Sequence, residues 1–355
     1  MFVTLHPRKD SGSHRLVIID KMLKGILHLE RKKVRFMLQN LFRQRGIWRN
    51  IAQRLAPYYT ANAPRAKNSR KQIICMYDGR MHHCGISDRL RGAVSAYYIA
   101  RQMGYDFRIF FVHPFRLEDY LMPNEVDWRI TKEELCYNLE DAAPMYCGCN
   151  PTFAEHFFEK LWLRKCFAEA KKQVHVYTIA HLLPHSKKYG ECFRQLFQPT
   201  ERLEKTLQQY GESLRGGYIT VSLRFIGLLD DFTERSARHI PKVEQEPLMA
   251  RCVQQISKIH DCHPDKKVLL TSDSTRFLLY ATSLLPFVCY VPGDVVHIDF
   301  QSTTSDDVNM KLFLDMYLIS RADEAYLLQT GKMYKSGFPR CAAQISGIPF
   351  HYIRF

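Results

Sequence analysis

At 355 residues, with 46% hydrophobic and 25% charged side chains, the chain is long enough for two ordinary domains with well-formed cores. Its formal net charge is +15, but residues 1–71 hold 17 Lys and Arg against Asp10, Asp20 and Glu30, a net of +14. The remaining chain is close to neutral, which excludes the sequence-wide basic face of a nucleic-acid binder and directs any acidic partner to the N-terminus.

That N-terminal stretch, residues 1–70, carries Leu16, Ile19, Leu23, Ile26, Leu27, Val34, Leu38, Leu41, Ile47 and Ile51 at roughly helical spacing among basic residues. It reads as a basic amphipathic helical extension. Two roles stay open: a peripheral contact with an anionic membrane leaflet, or a helical hairpin packed on the body with a solvated basic face. No run is apolar enough to span a bilayer. Leu278 to Val291 is the most apolar, and Thr282, Ser283 and Pro286 interrupt it well short of about 20 residues. Arg8, Lys9 and Asp10 are followed by no adequate apolar core, so a secretory signal is not expected.

The eleven cysteines are scattered through apolar runs, as at Cys75, Cys166, Cys252 and Cys289, which fits reduced thiols and a cytoplasmic protein. Cys147 and Cys149 have no second pair nearby, and Pro184 separates His181 from His185, so no metal site is expected.

After the punctuation at NAPRAKNSRK, a first α/β domain is expected over residues 71–205. IICMYD reads as a strand, GRMHHCGIS as a loop, a helix runs from about Asp88 to Met103 with Ser87 or Asp88 at its cap, and FRIFFV closes a βαβ unit. PTFAEHFFEKLWLRK reads as helical and VHVYTI as a strand. A second α/β domain, 206–355, alternates again: GYITVSLRF, a helix around Leu248 to Ile259, KVLLTSD, a helix from Thr275 to Leu284, PFVCYV, a helix from Met310 to Arg321, EAYLLQT and a last short helix. Two Rossmann-like α/β domains facing a cleft is the economical architecture.

Ligand-binding groups in such folds sit at strand ends and helix N-termini. Arg224, ending a strand, can neutralise a pyrophosphate bidentately or pair with Asp230 or Asp231. In KMYKSGFP, Ser336 offers a hydroxyl, Gly337 admits close backbone approach, Phe338 completes the turn and Pro339 suits the first turn of the helix that carries Cys341 to Ile345. Asp273 and Ser274 in TSDS can accept from a nucleoside or cap a helix. GISDRLRG places Asp88, Arg89 and Arg91 near a helix start, where arginines oppose the helix dipole and so point to a ligand; Asp88 is the candidate base. His297 and Asp299 in HIDF are second candidates in the cleft.

SLRF, LLTSDS and the run from LFLDMYLISRADEAYLL to SGFPRCAA match three ordered motifs and resemble the fucosyltransferase superfamily that includes the nodulation and core α-1,6-fucosyltransferases, over about residues 73–348. GISDRLRG is similar to the family's glycine-rich cleft loop. The resemblance implies a GT-B-like fold, GDP-fucose as donor, inversion at the sugar carbon and no required metal or other cofactor. It places Arg224 on the donor-phosphate arginine. Ser222 stands where many members have histidine and Phe225 where a second arginine is usual, which leaves another nucleotide sugar as an alternative donor. A basic N-terminus would suit a lipid-linked glycan acceptor in polysaccharide assembly. A nucleic-acid-associated factor and a non-catalytic sugar-nucleotide module are the rival classes.

Overall fold

The computed structural model describes residues 49, 51–147, 171–179, 186–232, 238–296, 298 and 303–355. The expected amphipathic helices of residues 1–48, the PTFAEHFFEKLWLRK helix, His181, His185, Cys149, His297 and Asp299 lie outside the described residues. Where the basic extension is described, Ile51–Leu55 and Ala56–Tyr58 form short helical turns. Leu55 and Tyr59 are buried there against the first sheet's core.

Two all-parallel sheets form the body. The first has the order β2-β1-β5-β4, from β1 (Gln72–Tyr77), β2 (Asp106–Phe111), β4 (Ala142–Cys147) and β5 (Gln173–Thr178). Every residue of the central strands β1 and β5 is buried, whereas β2 at an edge alternates between buried and half-buried positions. That is why QIICMY is almost continuously apolar. β4 carries Pro144, tolerated because β4 is the other edge strand.

The second sheet has the order β11-β10-β7-β8-β9, from β7 (Tyr218–Leu223), β8 (Lys267–Ser272), β9 (Val288–Cys289), β10 (Glu324–Gln329) and β11 (Phe350–Arg354). The strand expected over PFVCYV shortens to two residues, Val288 and Cys289. A third, antiparallel pair joins β3 (Leu121–Pro123) to β6 (Phe197–Pro199).

Helices cover both sheets: α1 (Ile86–Met103), α2 (Ser186–Leu196), α3 (Glu201–Ser213), α4 (Lys242–Asp261), α5 (Thr275–Leu284), α6 (Asp306–Ser320) and α7 (Phe338–Ser346). The bounds of α5 agree with the sequence reading. α1 starts earlier than expected. Gly85 is its N-cap, in extended conformation and without a side-chain cap, so neither Ser87 nor Asp88 caps it.

One hydrophobic core runs from α1 and the first sheet through α2 and α3 to α6 and α7, so the two halves share packed interior rather than a bare hinge. Tyr120 stacks on Phe313 of α6 at 4.9 Å, and Arg321, at the C-cap of α6, pairs with Glu204 of α3 at 2.6 Å. Gly190 shows why α2 can sit so close to α7. A Cβ there would collide with the Gln344 carbonyl oxygen and lie 2.9 Å from that of Ile345. A second core fills the other face of the second sheet under α4 and α5.

Among the described residues, eight cysteines take part in no disulfide. No described helix is long and apolar enough to cross a membrane.

Candidate functional site

The carboxyl ends of β7 and β8 and the first turns of α1 and α7 surround one cavity of about 390 Å³. Parallel strands with helices behind them leave a crevice at their carboxyl ends, where backbone N–H groups converge. Here the second sheet supplies the strand ends, and the first half contributes through the first turn of α1.

Arg224 follows β7 directly and lines the cavity. Its carbonyl accepts from the Tyr334 amide at 2.9 Å, so the strand end and the KMYKSGFP turn are tied together. The guanidinium lies 5.5 Å from the centre of the Phe232 ring and 5.9 Å from that of Tyr334, flat aromatic surfaces that limit its swing. Of the acids offered as ion-pair partners by the sequence, Asp230 accepts from Gln245 at 2.7 Å, and Asp231 accepts from Ser274 and the Arg276 amide.

Ser336, Gly337 and Phe338 all reach the cavity, with Lys335 beside them. The Ser336 hydroxyl accepts from the Phe338 amide at 3.3 Å, and Gly337 is the N-cap of α7 with Pro339 in the first turn. A Cβ at Gly337 would meet nothing within 4 Å, so the backbone here faces open space that an anion can enter.

Asp273 reaches the cavity wall, but its carboxylate is engaged with the backbone. Oδ1 accepts from the Phe225 amide at 2.7 Å and Oδ2 from the Ile226 amide at 2.8 Å. Ile226 has φ of 54°, a left-handed conformation costly for a β-branched residue. The carboxylate therefore holds a strained turn immediately after Arg224. Burial pushes the Asp273 carboxyl above its usual range, opposed by Arg224 and the two amides. An Asp273→Asn variant keeps only one acceptor for two amides and is expected to lose about 1–3 kcal/mol of stability, read as a lower urea midpoint at unchanged m.

Ser274, expected as a donor ligand, is a helix cap. It is fully buried, accepts from the Phe277 amide at 3.0 Å and donates to Asp231 at 2.7 Å. Arg89, expected in the cleft, is 1% exposed and works inside the first domain: its guanidinium donates to the carbonyls of Cys84 and His113 and packs over Phe111. It fixes the loop leading into α1. These two positions are corrections to the sequence reading, and in each the deciding partner is distant in sequence or on a neighbouring turn.

Asp88 and Arg91 do line the cavity, paired with each other across one helical turn. The Arg91 Nε is buried without a hydrogen-bond partner among the described residues. Contact between Cys341 of α7 and the Ser87 carbonyl brings the first turns of α1 and α7 together.

The two departures from the family pattern have structural accounts. Phe225 is fully buried against Phe277, with ring centres 4.9 Å apart, so position 225 belongs to the second core. Ser222 shares a 2.7 Å hydrogen bond with Thr271, two hydroxyls on adjacent strands at the cavity floor.

The sequence reading missed Lys311 and Asp315, a buried ion pair of α6 at 2.9 Å in the cavity wall. The available signal was two opposite charges four residues apart in the otherwise apolar MKLFLDMYLIS. Among the described residues no group of three or more His, Cys, Asp or Glu is arranged to hold a metal.

No protein-family model matches the chain, and no curated protein matches it in sequence. Its likeness to solved structures is nonetheless extensive. The fucosyltransferase NodZ from Bradyrhizobium matches with a TM-score of 0.50 at 16% identity, covering 78% of this chain and 92% of that one. NodZ alpha-1,6-fucosyltransferase co-crystallized with GDP gives the same values. A mutant of Arabidopsis thaliana FUT1 in complex with GDP matches with a TM-score of 0.50 at 14% identity, covering 80% of this chain and 70% of that one. With two parallel sheets, and a crevice at the carboxyl ends of β7 and β8 facing the first turn of α1, this chain has the GT-B-like fold of these fucosyltransferases.

Proposed function

We propose that the protein is a glycosyltransferase that moves fucose from GDP-fucose to a hydroxyl of a glycan acceptor, with inversion at the sugar carbon. The observation that carries this reading is the convergence of Arg224 and the Ser336–Phe338 turn on one cavity between the second sheet and the first turn of α1. The GDP-bound neighbours of the same fold support the choice of donor. A glycosyltransferase using another nucleotide sugar is the second reading, favoured by the serine at position 222.

In this mechanism the acceptor oxygen attacks the anomeric carbon as its bond to the β-phosphate oxygen breaks. Negative charge grows on the departing diphosphate. Arg224 is a fixed cation there, and the N-terminus of α7 supplies oriented N–H dipoles, so stabilisation is strongest as the bond breaks. We assign the proton of the acceptor hydroxyl to Asp88, held in place by Arg91. His297 and Asp299 are alternative carriers. Because Arg224, Lys335 and the helix dipole meet the diphosphate charge, the proposed transfer requires no metal, and EDTA should leave its rate unchanged. Asp273 acts by holding the turn after Arg224. The basic extension would bring this chemistry to an anionic membrane surface bearing a lipid-linked acceptor, in a cytoplasmic protein with no nucleic-acid partner.

The first test is thermal stabilisation of the full chain by GDP, UDP, CMP and GDP-fucose. A ligand that binds only the native state at about 100 times its Kd stabilises it by about 2.7 kcal/mol, a shift of several degrees. A shift with GDP and GDP-fucose alone is the expected result. Silence with all four would refute a nucleotide-sugar site.

A further inference from the structure

Val308, Lys311, Leu312 and Asp315 project from α6 into the cavity, joined by Val295, Val296 and Ile298. This is an apolar slot with one charged pair in it. Lys311 and Asp315 are 4% and 7% exposed, and Lys311 Nζ donates to Asp315 Oδ2 at 2.9 Å. Burying such a pair generally costs more in desolvation than it returns, so stability does not account for it. Asp315 Oδ1 has no hydrogen-bond partner among the described residues. The loop after β9 packs on the lysine stem, since a Cβ on Gly293 would lie 3.0 Å from Lys311 Cδ. The pair is thus preorganised, with an ammonium that can only donate set beside a carboxylate oxygen in need of a donor.

A guanine edge complements that arrangement: O6 accepts, and N1–H and the 2-amino group beside it donate. An adenine edge would set its 6-amino donor against the ammonium. We infer that Lys311 determines base specificity, donating to O6 of a 6-oxopurine while Asp315 stays alongside as acceptor for the neighbouring N–H groups. This rests on the reading of the cavity as a GDP-sugar site and adds to it the residue that selects the base.

Calorimetric titration of the full chain with GDP, ADP and 2-aminopurine riboside 5′-diphosphate, which lacks O6 and the N1 proton but keeps the 2-amino group, tests it. Wild type should bind GDP at least about tenfold more tightly than the 2-aminopurine compound, the expected size for a hydrogen bond to a charged group. Lys311→Met, which keeps the stem and removes the donor, should reduce that ratio several-fold, the remainder reflecting the N1–H contact with Asp315 that the probe also lacks, and Lys311→Gln, whose amide still donates, should keep most of it. Equal wild-type affinities for GDP and the 2-aminopurine compound overturn the inference whether or not the variants fold, as does an unchanged ratio in Lys311→Met. Absence of binding by every nucleoside diphosphate overturns the GDP-sugar reading itself, and this inference with it.

Discussion

Replacing Arg224 by alanine is expected to lower kcat/KM for the proposed fucosyl transfer from GDP-fucose by about 10²–10³-fold, the usual effect of removing one preorganised group from a site of charge development. Most of the loss should fall on kcat, because the diphosphate carries more negative charge as a leaving group than as part of the intact donor. The thermal shift with GDP should shrink as well, since free GDP resembles the departing group. Fold stability should fall modestly, because the guanidinium supports the buried Asp273 carboxylate, while the bond that ties this position to the Tyr334 turn comes from the Arg224 carbonyl and is kept. Arg224→Lys should recover only part of the rate, because a single ammonium cannot reproduce two parallel N–H bonds to phosphate. Steady-state kinetics of the three proteins, with GDP-fucose varied at saturating acceptor, check the split between kcat and KM. A change in KM alone would place Arg224 in ground-state binding and count against its role in departure.

Arg224 was legible in the sequence for the same reason the strands were. Central parallel strands are buried on both faces and read as apolar runs, so β1, β7, β8 and β10 stand out and a charge at the end of one is conspicuous. Elements carried by long-range contacts were not legible. α2 and α3 each contain a glycine, Gly190 and Gly211, which weakens a local helix reading, although Gly190 is what permits contact with α7. β11 is short, half-exposed and defined only by pairing with β10. Within the site the same division holds. The SGFP turn announces itself by local chemistry, whereas Arg89 donating to the His113 carbonyl and Asp273 accepting from the Phe225 and Ile226 amides depend on chain segments that meet only in the fold.

A second large effect concerns acid. His83 and His175 are 3% and 0% exposed, and burial pushes both imidazoles down to about 3, with nearby arginines adding to the shift. Their partners fit neutral rings. The Gly79 amide donates to His83 Nε2 at 3.0 Å, which requires a lone pair there. His175 Nε2 faces the Gln173 side-chain oxygen at 3.2 Å and so carries the proton, leaving Nδ1 to accept from the Tyr59 hydroxyl at 2.7 Å. Because the folded values lie below the unfolded value of about 6.5, the unfolded chain takes up protons first as the pH falls. The stability these rings contribute is therefore complete above about pH 6.5 and is lost progressively down to about pH 3, at a rate of about 1.4 kcal/mol per pH unit for each. Between pH 6.5 and pH 5 the two together should cost about 3 kcal/mol, enough to lower the urea midpoint sharply. His175→Gln removes one titrating group while keeping a side chain that can both donate and accept, and it should halve the slope of stability against pH over this range. An unchanged slope in that variant would mean that His175 is already charged in the folded protein. The consequence reaches the proposed chemistry, because His83 lies in the loop that Arg89 fixes ahead of α1, so acid should loosen the segment presenting Asp88 and Arg91 to the cavity before the second sheet, with Arg224, gives way.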